Sequence, residues 1–263
     1  QVAPSPEAEH PLIGVEVGKY RLVRLCGRGG MGSVFEAVHT TIGQRVAVKV
    51  LNAAFSEEPE ILQRFFIEAR ASSLVQHPGL VQIFDYGTIG GGDSGAAAPG
   101  ATGRAYIMME LLEGESLRQR LRREGPLPLP EALPLLRLIA SAVAAAHEKS
   151  IIHRDLKPEN IFLVADPAGP SGVRPKVLDF GIAKLADPSE SDSGLRTNTG
   201  ALLGTPAYMS PEQCRAEPVT PKSDVYSLGV VLFHVLTGET PFGDTASGEI
   251  YARHLYEAPP RLS

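Results

Sequence analysis

The stretch HRDLKPEN at residues 153–160, followed by DFG at residues 179–181, decides how this chain folds and what it does. Asp155 and Asn160 lie five residues apart on a predicted loop, and Asp179 follows a short predicted hairpin. Three oxygen-bearing side chains that converge from loops suit a site for Mg²⁺ and phosphate, because Mg²⁺ prefers oxygen ligands and keeps several of its waters. An Asx-rich turn would not require eight specified residues together with a downstream DFG.

A glycine-rich segment, GRGGMGSV at residues 27–34, lies far upstream of this loop. Its pattern, G-x-G-x-x-G-x-V, allows a turn to bring backbone N–H groups close to phosphate oxygens. Taken alone, a glycine-rich hairpin explains the pattern equally well. A dinucleotide-binding fingerprint would lead from a strand into a helix, whereas these glycines lead into a second predicted strand. The order favours a flap over a nucleotide.

The segment VAVK at residues 46–49 places Lys49 on the third predicted strand. A single lysine on a strand is most often a solvated charge, but Lys49 follows the glycine segment at a suitable distance. A lysine that holds phosphates needs a carboxylate to orient it, and Glu68 on the next predicted helix can do so. The alternative is that Glu68 is one more exposed helical acid.

Composition and charge exclude several classes of protein. The chain has 263 residues, 43% of them hydrophobic, and a formal charge of −5. These values argue against wholesale disorder and against a general nucleic-acid binder, which needs surplus cations. Cys26 and Cys214 form no disulfide scaffold, so a reducing cytoplasm is expected. The most apolar stretch, residues 227–236, is half the length that a bilayer requires, and no secretion signal is seen.

Residue periodicity predicts a strand-rich first half with one helix, followed by a helical second half. Residues 1–16, rich in Pro and Glu, are expected to form a flexible tail, and the chain starts at Gln1, which suggests a fragment of a longer protein. Residues 88–103 and 166–175 are expected to be loops. The predicted strands are residues 20–26, 33–39, 44–50, 81–86 and 105–109; the predicted helices are residues 57–75, 130–149 and 223–237, the last ended by Gly238.

These motifs together resemble those of the eukaryotic-type serine/threonine protein kinases, especially their bacterial members. They continue in the family's order with GTPAY at residues 204–208, SPE at 210–212 and SDVYSLG at 223–229. The resemblance implies an α+β, bilobal protein-kinase fold. Its parts would be an N-lobe and hinge at residues 17–112, with a small antiparallel sheet and one main helix, and a mostly helical, incomplete C-lobe at residues 113–263. The absent last helices would include the one whose arginine pairs with the glutamate matching Glu212.

The resemblance implies transfer of the γ-phosphate of ATP to serine or threonine hydroxyls of proteins, with Mg²⁺ or Mn²⁺ as the metal. Asp155 would accept the proton of the hydroxyl, and Lys157 would contact the γ-phosphate. Lys49, paired with Glu68, would hold the α- and β-phosphates. Lys157 also indicates the serine/threonine branch, because members that act on tyrosine usually lack this lysine. The metal ligands would be Asn160 and Asp179.

The resemblance also implies a nucleotide pocket. Met109 falls at the gatekeeper position, and the backbones of Glu110 and Leu112 would bond the adenine edge. Cys26 would replace the aliphatic residue that usually roofs the ring. For each apolar member, plain core packing is the alternative. The predicted pocket residues are Cys26, Gly27, Gly29, Gly32, Val34, Ala47, Lys49, Met109, Glu110, Leu112 and Phe162.

Kinases of this pattern are commonly held active by a phosphate between DFG and SPE. Thr197 and Thr199 resemble the paired threonines that bacterial relatives phosphorylate in themselves, and Arg154 would pair with the phosphate. The alternative is that these hydroxyls belong to solvated loop residues only. The resemblance further implies that His153 is structural and that Asp224 braces the catalytic loop. From sequence alone Asp224 is a simple helix cap, and both roles can hold together.

Two rival functions are a non-catalytic pseudokinase that acts as a binding module and a small-molecule phosphotransferase. Lys49, Asp155 and Asp179 are all present, which argues against the first. The SPE element and the hydroxyl-rich segment before it argue against the second. The expected partners are protein substrates, with self-association for trans-autophosphorylation, and neither nucleic acid nor membrane. The expected location is cytoplasmic, either alone or as the cytoplasmic domain of a longer, membrane-anchored kinase.

Overall fold

The structure is a computed structural model, and it describes residues 10–90, 103–169, 172–179, 206–243 and 247–262. The chain divides into two compact units. The N-terminal unit comprises residues 1–73 and 82–112, and the C-terminal unit comprises residues 74–81 and 113–263. Each unit has its own hydrophobic core.

A six-stranded antiparallel sheet forms most of the N-terminal unit, with strand order β1-β2-β3-β4-β6-β5. Val, Ile, Phe and Tyr are frequent in its strands because branched and aromatic side chains pack well on a pleated surface. The central strand β4 buries five of its seven residues, and Val46, Val48 and Val50 on one of its faces pack in the core of the unit. The strands are β1 (Glu16–Val17), β2 (Tyr20–Arg28), β3 (Gly32–His39), β4 (Arg45–Leu51), β5 (Ile83–Thr88) and β6 (Ala105–Met109).

The helices in the described part of this unit are α1 (Ala53–Ser56) and α2 (Pro59–Ser73). Helix α2 confirms the helix predicted at residues 57–75; Phe65 and Ala69, four residues apart on one face, are fully buried. Helix α1 was not predicted. The strand predicted at residues 81–86 begins two residues later, at Ile83.

The predicted tail at residues 1–16 is too long. Leu12 and Val15 are 2% and 3% exposed and pack in the core of the N-terminal unit. Backbone hydrogen bonds fasten the segment to β2: the N–H of Gly14 donates to the carbonyl of Leu22 at 2.8 Å, and the N–H of Leu22 donates to Val15 at 2.9 Å. The Pro and Glu content of the first residues masked the apolar run that begins at Leu12.

The C-terminal unit is mostly helical, with a small antiparallel sheet of order β7-β8-β9. Together with the sheet-rich first unit, it confirms the expected α+β class. Its strands are β7 (Gly114–Ser116), β8 (Ile161–Ala165) and β9 (Val173–Val177), and its helices are α3 (Leu117–Glu124), α4 (Leu129–His147), α5 (Pro211–Cys214), α6 (Pro221–Thr237) and α7 (Ser247–Tyr256). Short 3₁₀ helices in the described part of the chain include Pro158–Asn160 and Pro206–Tyr208.

Helix α4 forms the centre of the C-terminal core. It buries seven side chains, among them Leu135, Ile139 and Val143, on the apolar stripe that predicted the helix. Among the described residues, α4 is the one helix that is both long enough and apolar enough to cross a membrane by length and composition. From sequence no such helix was expected, because residues 227–236 were considered the most apolar stretch. Its contacts within the unit are those of a core helix.

Strand β9 corrects the loop predicted at residues 166–175. Pro175 lies inside the strand and faces Leu163 of β8. A proline is tolerated there because β9 is at the edge of its sheet, where a missing N–H leaves no partner unsatisfied. The predicted loop is confirmed only between β8 and β9, where the N–H of Gly169 donates to the carbonyl of Asp166 in a turn.

Candidate active site

Asp224 of helix α6 holds the backbone of the HRD segment in place. Its Oδ2 accepts the N–H of His153 at 2.8 Å, and its Oδ1 accepts the N–H of Arg154 at 2.8 Å. The same Oδ2 lies 2.7 Å from Nε2 of His147 at the end of α4. With its side chain 1% exposed, Asp224 is a buried carboxylate whose hydrogen bonds offset its desolvation.

Asp224 is therefore a brace for the loop and not the helix cap that its position also suggested. The cap of α6 is Thr220, whose side chain accepts the N–H of Lys222 and whose own N–H donates to Ser223. At the other end, Gly238 ends the helix as predicted, with φ of +83°, a left-handed conformation that costs glycine little.

Arg154 is fixed on both sides of its backbone. Besides the bond from its N–H to Asp224, its carbonyl accepts Nε2 of Gln213 at 2.8 Å. Its φ of +68° is unusual for a residue with a side chain, and such a conformation persists only where the surroundings enforce it. These contacts enforce it immediately before Asp155.

The Asp155 carboxylate is held on one oxygen. Asn160 donates from Nδ2 to Oδ2 of Asp155 at 3.0 Å and to its carbonyl oxygen at 2.8 Å. Nζ of Lys157 lies 2.8 Å from the same Oδ2. Because both side-chain contacts fall on Oδ2, Oδ1 remains for another donor. Asp155 and Lys157 are both partly exposed, so a ligand can reach them.

Asn160 and Asp179 are brought close in the C-terminal unit, because the N–H of Leu178 donates to the carbonyl of Asn160 at 2.9 Å. Because Nδ2 of Asn160 donates to Asp155, the side-chain atom of Asn160 that could bind a metal is Oδ1. An amide oxygen beside a carboxylate is a donor set that Mg²⁺ prefers. Asp179 has φ of +52°, a second strained position in the predicted site. The residues present fit a magnesium ion.

His153 is structural, as the sequence analysis expected. Its side chain is completely buried, and its Nε2 lies 2.8 Å from the carbonyl of Leu178 while Nδ1 accepts the N–H of Asp155 at 3.3 Å. Burial lowers the pKa of the imidazole below its usual range, against the opposing influence of Asp224. A neutral ring with its proton on Nε2 satisfies both contacts and links Asp155 to the DFG segment.

In the N-terminal unit, four predicted pocket residues share one face of the sheet. Val34 of β3 faces Lys49 of β4, and Ala47 of β4 faces Met109 of β6. Residues two apart on a strand point to the same side, so Ala47 joins Lys49 and the two pairs form one patch. Phe162 lies on β8 in the C-terminal unit, where it faces Ser116.

The glycine segment forms the hairpin between β2 and β3. Gly27 faces Val34, and the N–H of Gly29 donates to the carbonyl of Gly32 at 2.8 Å. At Gly32 the reason for glycine is steric: a Cβ there would lie 2.3 Å from the carbonyl oxygen of Val50. That requirement comes from packing between β3 and β4, which the phosphate argument did not foresee.

The remaining predicted residues of this unit are placed as follows. The N–H of Glu110 donates to the carbonyl of Gln82 at 2.9 Å, which fixes the backbone immediately after β6. Leu112 follows in the irregular segment after β6. Cys26 is exposed on β2, and neither Cys26 nor Cys214 takes part in a disulfide. The side chain of Glu68 and the residues Phe180, Gly181, Thr197 and Thr199 lie outside the described part of the chain.

Gln213 is the residue that sequence reasoning missed. Its Oε1 accepts the N–H of Ser210 and its backbone N–H donates to the Ser210 hydroxyl, which completes a capping box at the start of α5. Its Nε2 donates to Arg154. The spacing of serine and glutamine three residues apart was visible and predicts the cap. The contact with Arg154 spans 59 residues and has no local signal.

The fold and the site define the class of the protein: an antiparallel sheet with a glycine hairpin, joined to a helical unit that carries a braced HRD loop. The chain belongs to the protein kinase domain family, whose profile matches residues 20–259. The fold agrees with that of the kinase domain of PknI from Mycobacterium tuberculosis, with a TM-score of 0.68 and 24% identity over 94% of this chain and 81% of that one.

Curated relatives are serine/threonine-protein kinases. Pkn1 of Myxococcus xanthus is 44% identical over 99% of this chain, and PknA of Mycobacterium tuberculosis (strain ATCC 25618 / H37Rv) is 42% identical over 96% of it. The chain spans 35% of the length of the first relative and 54% of the second. The shared region is therefore a domain within longer proteins.

Proposed function

We propose that this chain is the catalytic domain of a serine/threonine protein kinase that transfers the γ-phosphate of ATP to hydroxyls of protein substrates. The observation that carries the proposal is the state of Asp155. Asn160 and Lys157 hold its Oδ2, and the brace from Asp224 fixes the backbone before it. Its Oδ1 is left to accept the proton of a substrate hydroxyl.

Lys157 gives the loop a second role. Its ammonium group lies beside Oδ2 of Asp155 and carries a charge that a transferring phosphoryl group would attract. Phosphoryl transfer asks for little covalent chemistry from the protein, so positioning and charge neutralisation account for most of the catalysis. Bound Mg²⁺ would supply charge neutralisation at the phosphates, held by Oδ1 of Asn160 and the carboxylate of Asp179.

The N-terminal unit would bind the nucleotide. Lys49 stands on the same face as Val34, Ala47 and Met109, so one patch offers a cation for the α- and β-phosphates beside apolar contacts for the base. The predicted partner of Lys49 is Glu68. The glycine hairpin would supply backbone N–H groups to the phosphates.

Regulation of the site is proposed from the same residues. Phosphorylation of Thr197 or Thr199 would add about −1.5 to −2 charges and three acceptor oxygens. The guanidinium of Arg154 would pair with that phosphate, and the backbone of Arg154 is already fixed next to Asp155. The proposal also includes autophosphorylation between two copies of the chain. The proposed location is cytoplasmic, either alone or as the cytoplasmic domain of a longer, membrane-anchored kinase.

The test is Asp155→Asn with two readouts. Calorimetric titration should show ATP binding close to that of the wild type, while phosphate transfer from radiolabelled ATP to a protein acceptor should be lost. Asp166→Asn is the matched control, because Asp166 pairs with Arg174 on the turn between β8 and β9 and should leave both readouts unchanged. Transfer to small-molecule acceptors alone would indicate the phosphotransferase, and ATP binding without any transfer by the wild type would indicate a pseudokinase.

A further inference from the structure

Asn52, the residue after β4, is bonded to the tip of the glycine hairpin. Its backbone N–H donates to the carbonyl of Met31 at 2.8 Å, and its side-chain Nδ2 donates to the carbonyl of Gly30 at 3.1 Å. Two successive carbonyls of the hairpin therefore turn towards one residue. In a regular strand, successive carbonyls point to opposite sides, so this arrangement is a property of the tip and not of the sheet.

The planar peptide bond converts these contacts into the orientation of two N–H groups. In a trans peptide unit the N–H points opposite to the C=O. Asn52 holds the carbonyls of Gly30 and Met31, so the N–H groups that follow them, those of Met31 and Gly32, both point away from Asn52. Successive N–H groups directed to one side form a concave site that attracts anions.

The side chain of Asn52 is diverted from the task that its position usually gives it. Asn52 is the residue before helix α1, and its carbonyl accepts the N–H groups of Phe55 and Ser56. An asparagine at this position normally caps the helix with its side-chain oxygen. Here the side chain makes no capping bond and instead donates to Gly30.

The surroundings make the arrangement stiff. The side chain of Met31, next to the bonded carbonyls, is only 8% exposed, so the tip is anchored in the unit. Gly32 approaches the carbonyl of Val50 so closely that no side chain would fit. Movement of the tip relative to β4 therefore has to break the contacts with Asn52.

We propose that Asn52 is a positioning residue that aims the N–H groups of Met31 and Gly32 at the phosphates of the nucleotide. The proposal rests on the proposed function. It predicts that loss of the Asn52 side-chain amide weakens binding of the phosphates and leaves binding of the base unchanged. One neutral hydrogen bond corresponds to about a fivefold change in affinity.

The experiment compares Asn52→Ala and Asn52→Asp with the wild type by calorimetric titration of ATP and of adenosine, which lacks phosphates. Both variants should bind ATP about fivefold more weakly and adenosine equally well. Asn52→Asp keeps the size of the side chain but replaces its donor with an acceptor that faces the carbonyl of Gly30, so its ATP affinity should fall at least as far as that of Asn52→Ala. Hydrogen exchange in the peptide spanning residues 27–33 should become faster in both.

Asn52→Gln retains an amide donor and should recover part of the ATP affinity. Glu58→Ala, an exposed position on the same connecting segment, is the control and should change nothing. Equal loss of ATP and adenosine binding, or unchanged ATP binding with unchanged exchange, would overturn the role of Asn52. A wild type that binds no ATP would instead refute the proposed function, and the exchange measurement would still report whether Asn52 orders the hairpin.

Discussion

Replacement of Asp224 tests the idea that the catalytic loop is held from helix α6. Asp224→Ala removes three hydrogen bonds from a buried carboxylate and leaves the N–H groups of His153 and Arg154 without their acceptor. Bonds to charged groups contribute about 1.5–3 kcal/mol each, and breaking a buried pair costs about 3–5 kcal/mol. We therefore expect unfolding to become easier by about 4 kcal/mol and phosphate transfer to be lost.

Asp224→Asn refines the prediction. An amide oxygen placed at Oδ2 keeps the bonds with His153 and His147, while the amide nitrogen then faces the N–H of Arg154. One bond is lost, so the expected cost is about 2 kcal/mol, with transfer reduced because Arg154 is released beside Asp155.

Thr220→Ala is the matched control for this series, because Thr220 is the true cap of the same helix. Loss of a cap costs about 1 kcal/mol and should leave transfer intact. Urea unfolding and a kinase assay on the three variants provide the measurements. If Asp224→Ala costs no more than Thr220→Ala and retains full activity, the bonds from Asp224 to the loop have no energetic or functional role.

Two further predictions concern charge. The hydrogen bond from Arg45, aided by that from Arg24, lowers the pKa of the buried Glu36 against the effect of burial. The ionised Glu36 therefore stabilises the folded protein at any pH above the pKa that Glu36 has in the unfolded chain. This stabilisation is lost as the pH falls through the pKa of Glu36 in the folded protein. Glu36→Gln should therefore be less stable than the wild type near neutral pH, by a margin in urea unfolding that shrinks below about pH 4. Changing Thr197 and Thr199 together to alanine should abolish activation of the kinase. Phosphopeptide mapping of the wild type after incubation with ATP should find one of the two threonines phosphorylated. Full activity of the double variant, together with an unphosphorylated wild-type segment, would exclude activation by phosphorylation at this segment.

The placement of the candidate site followed closely from sequence, because its residues lie in short stretches with a fixed internal order. Asp155, Lys157 and Asn160 are within six consecutive positions, and their mutual contacts need only a tight turn. Helices α2 and α4 followed from apolar periodicity, and α6 from a largely apolar run that ends at Gly238.

The features that could not be predicted from sequence are those that depend on contacts between residues far apart in the chain. The choice between cap and brace for Asp224 is settled by bonds that span 70 and 71 residues, for which no periodicity gives a signal. The glycine at position 32 is required by a neighbouring strand. Helix α3 is different: its capping box of Ser116 and Gln119 was a local signal, and it could have been found.

The brace also limits when the site can first exist. Every residue of the HRD loop precedes Asp224 and Gln213 in the chain, yet the backbone of Arg154 is bonded to both. During synthesis, the HRD loop leaves the ribosome before Gln213 and Asp224, the two residues whose side chains hold its backbone, have been added. Translation products that stop before α6 would carry the whole HRD motif without its geometry, so a cell producing them would accumulate inert protein and not a premature kinase.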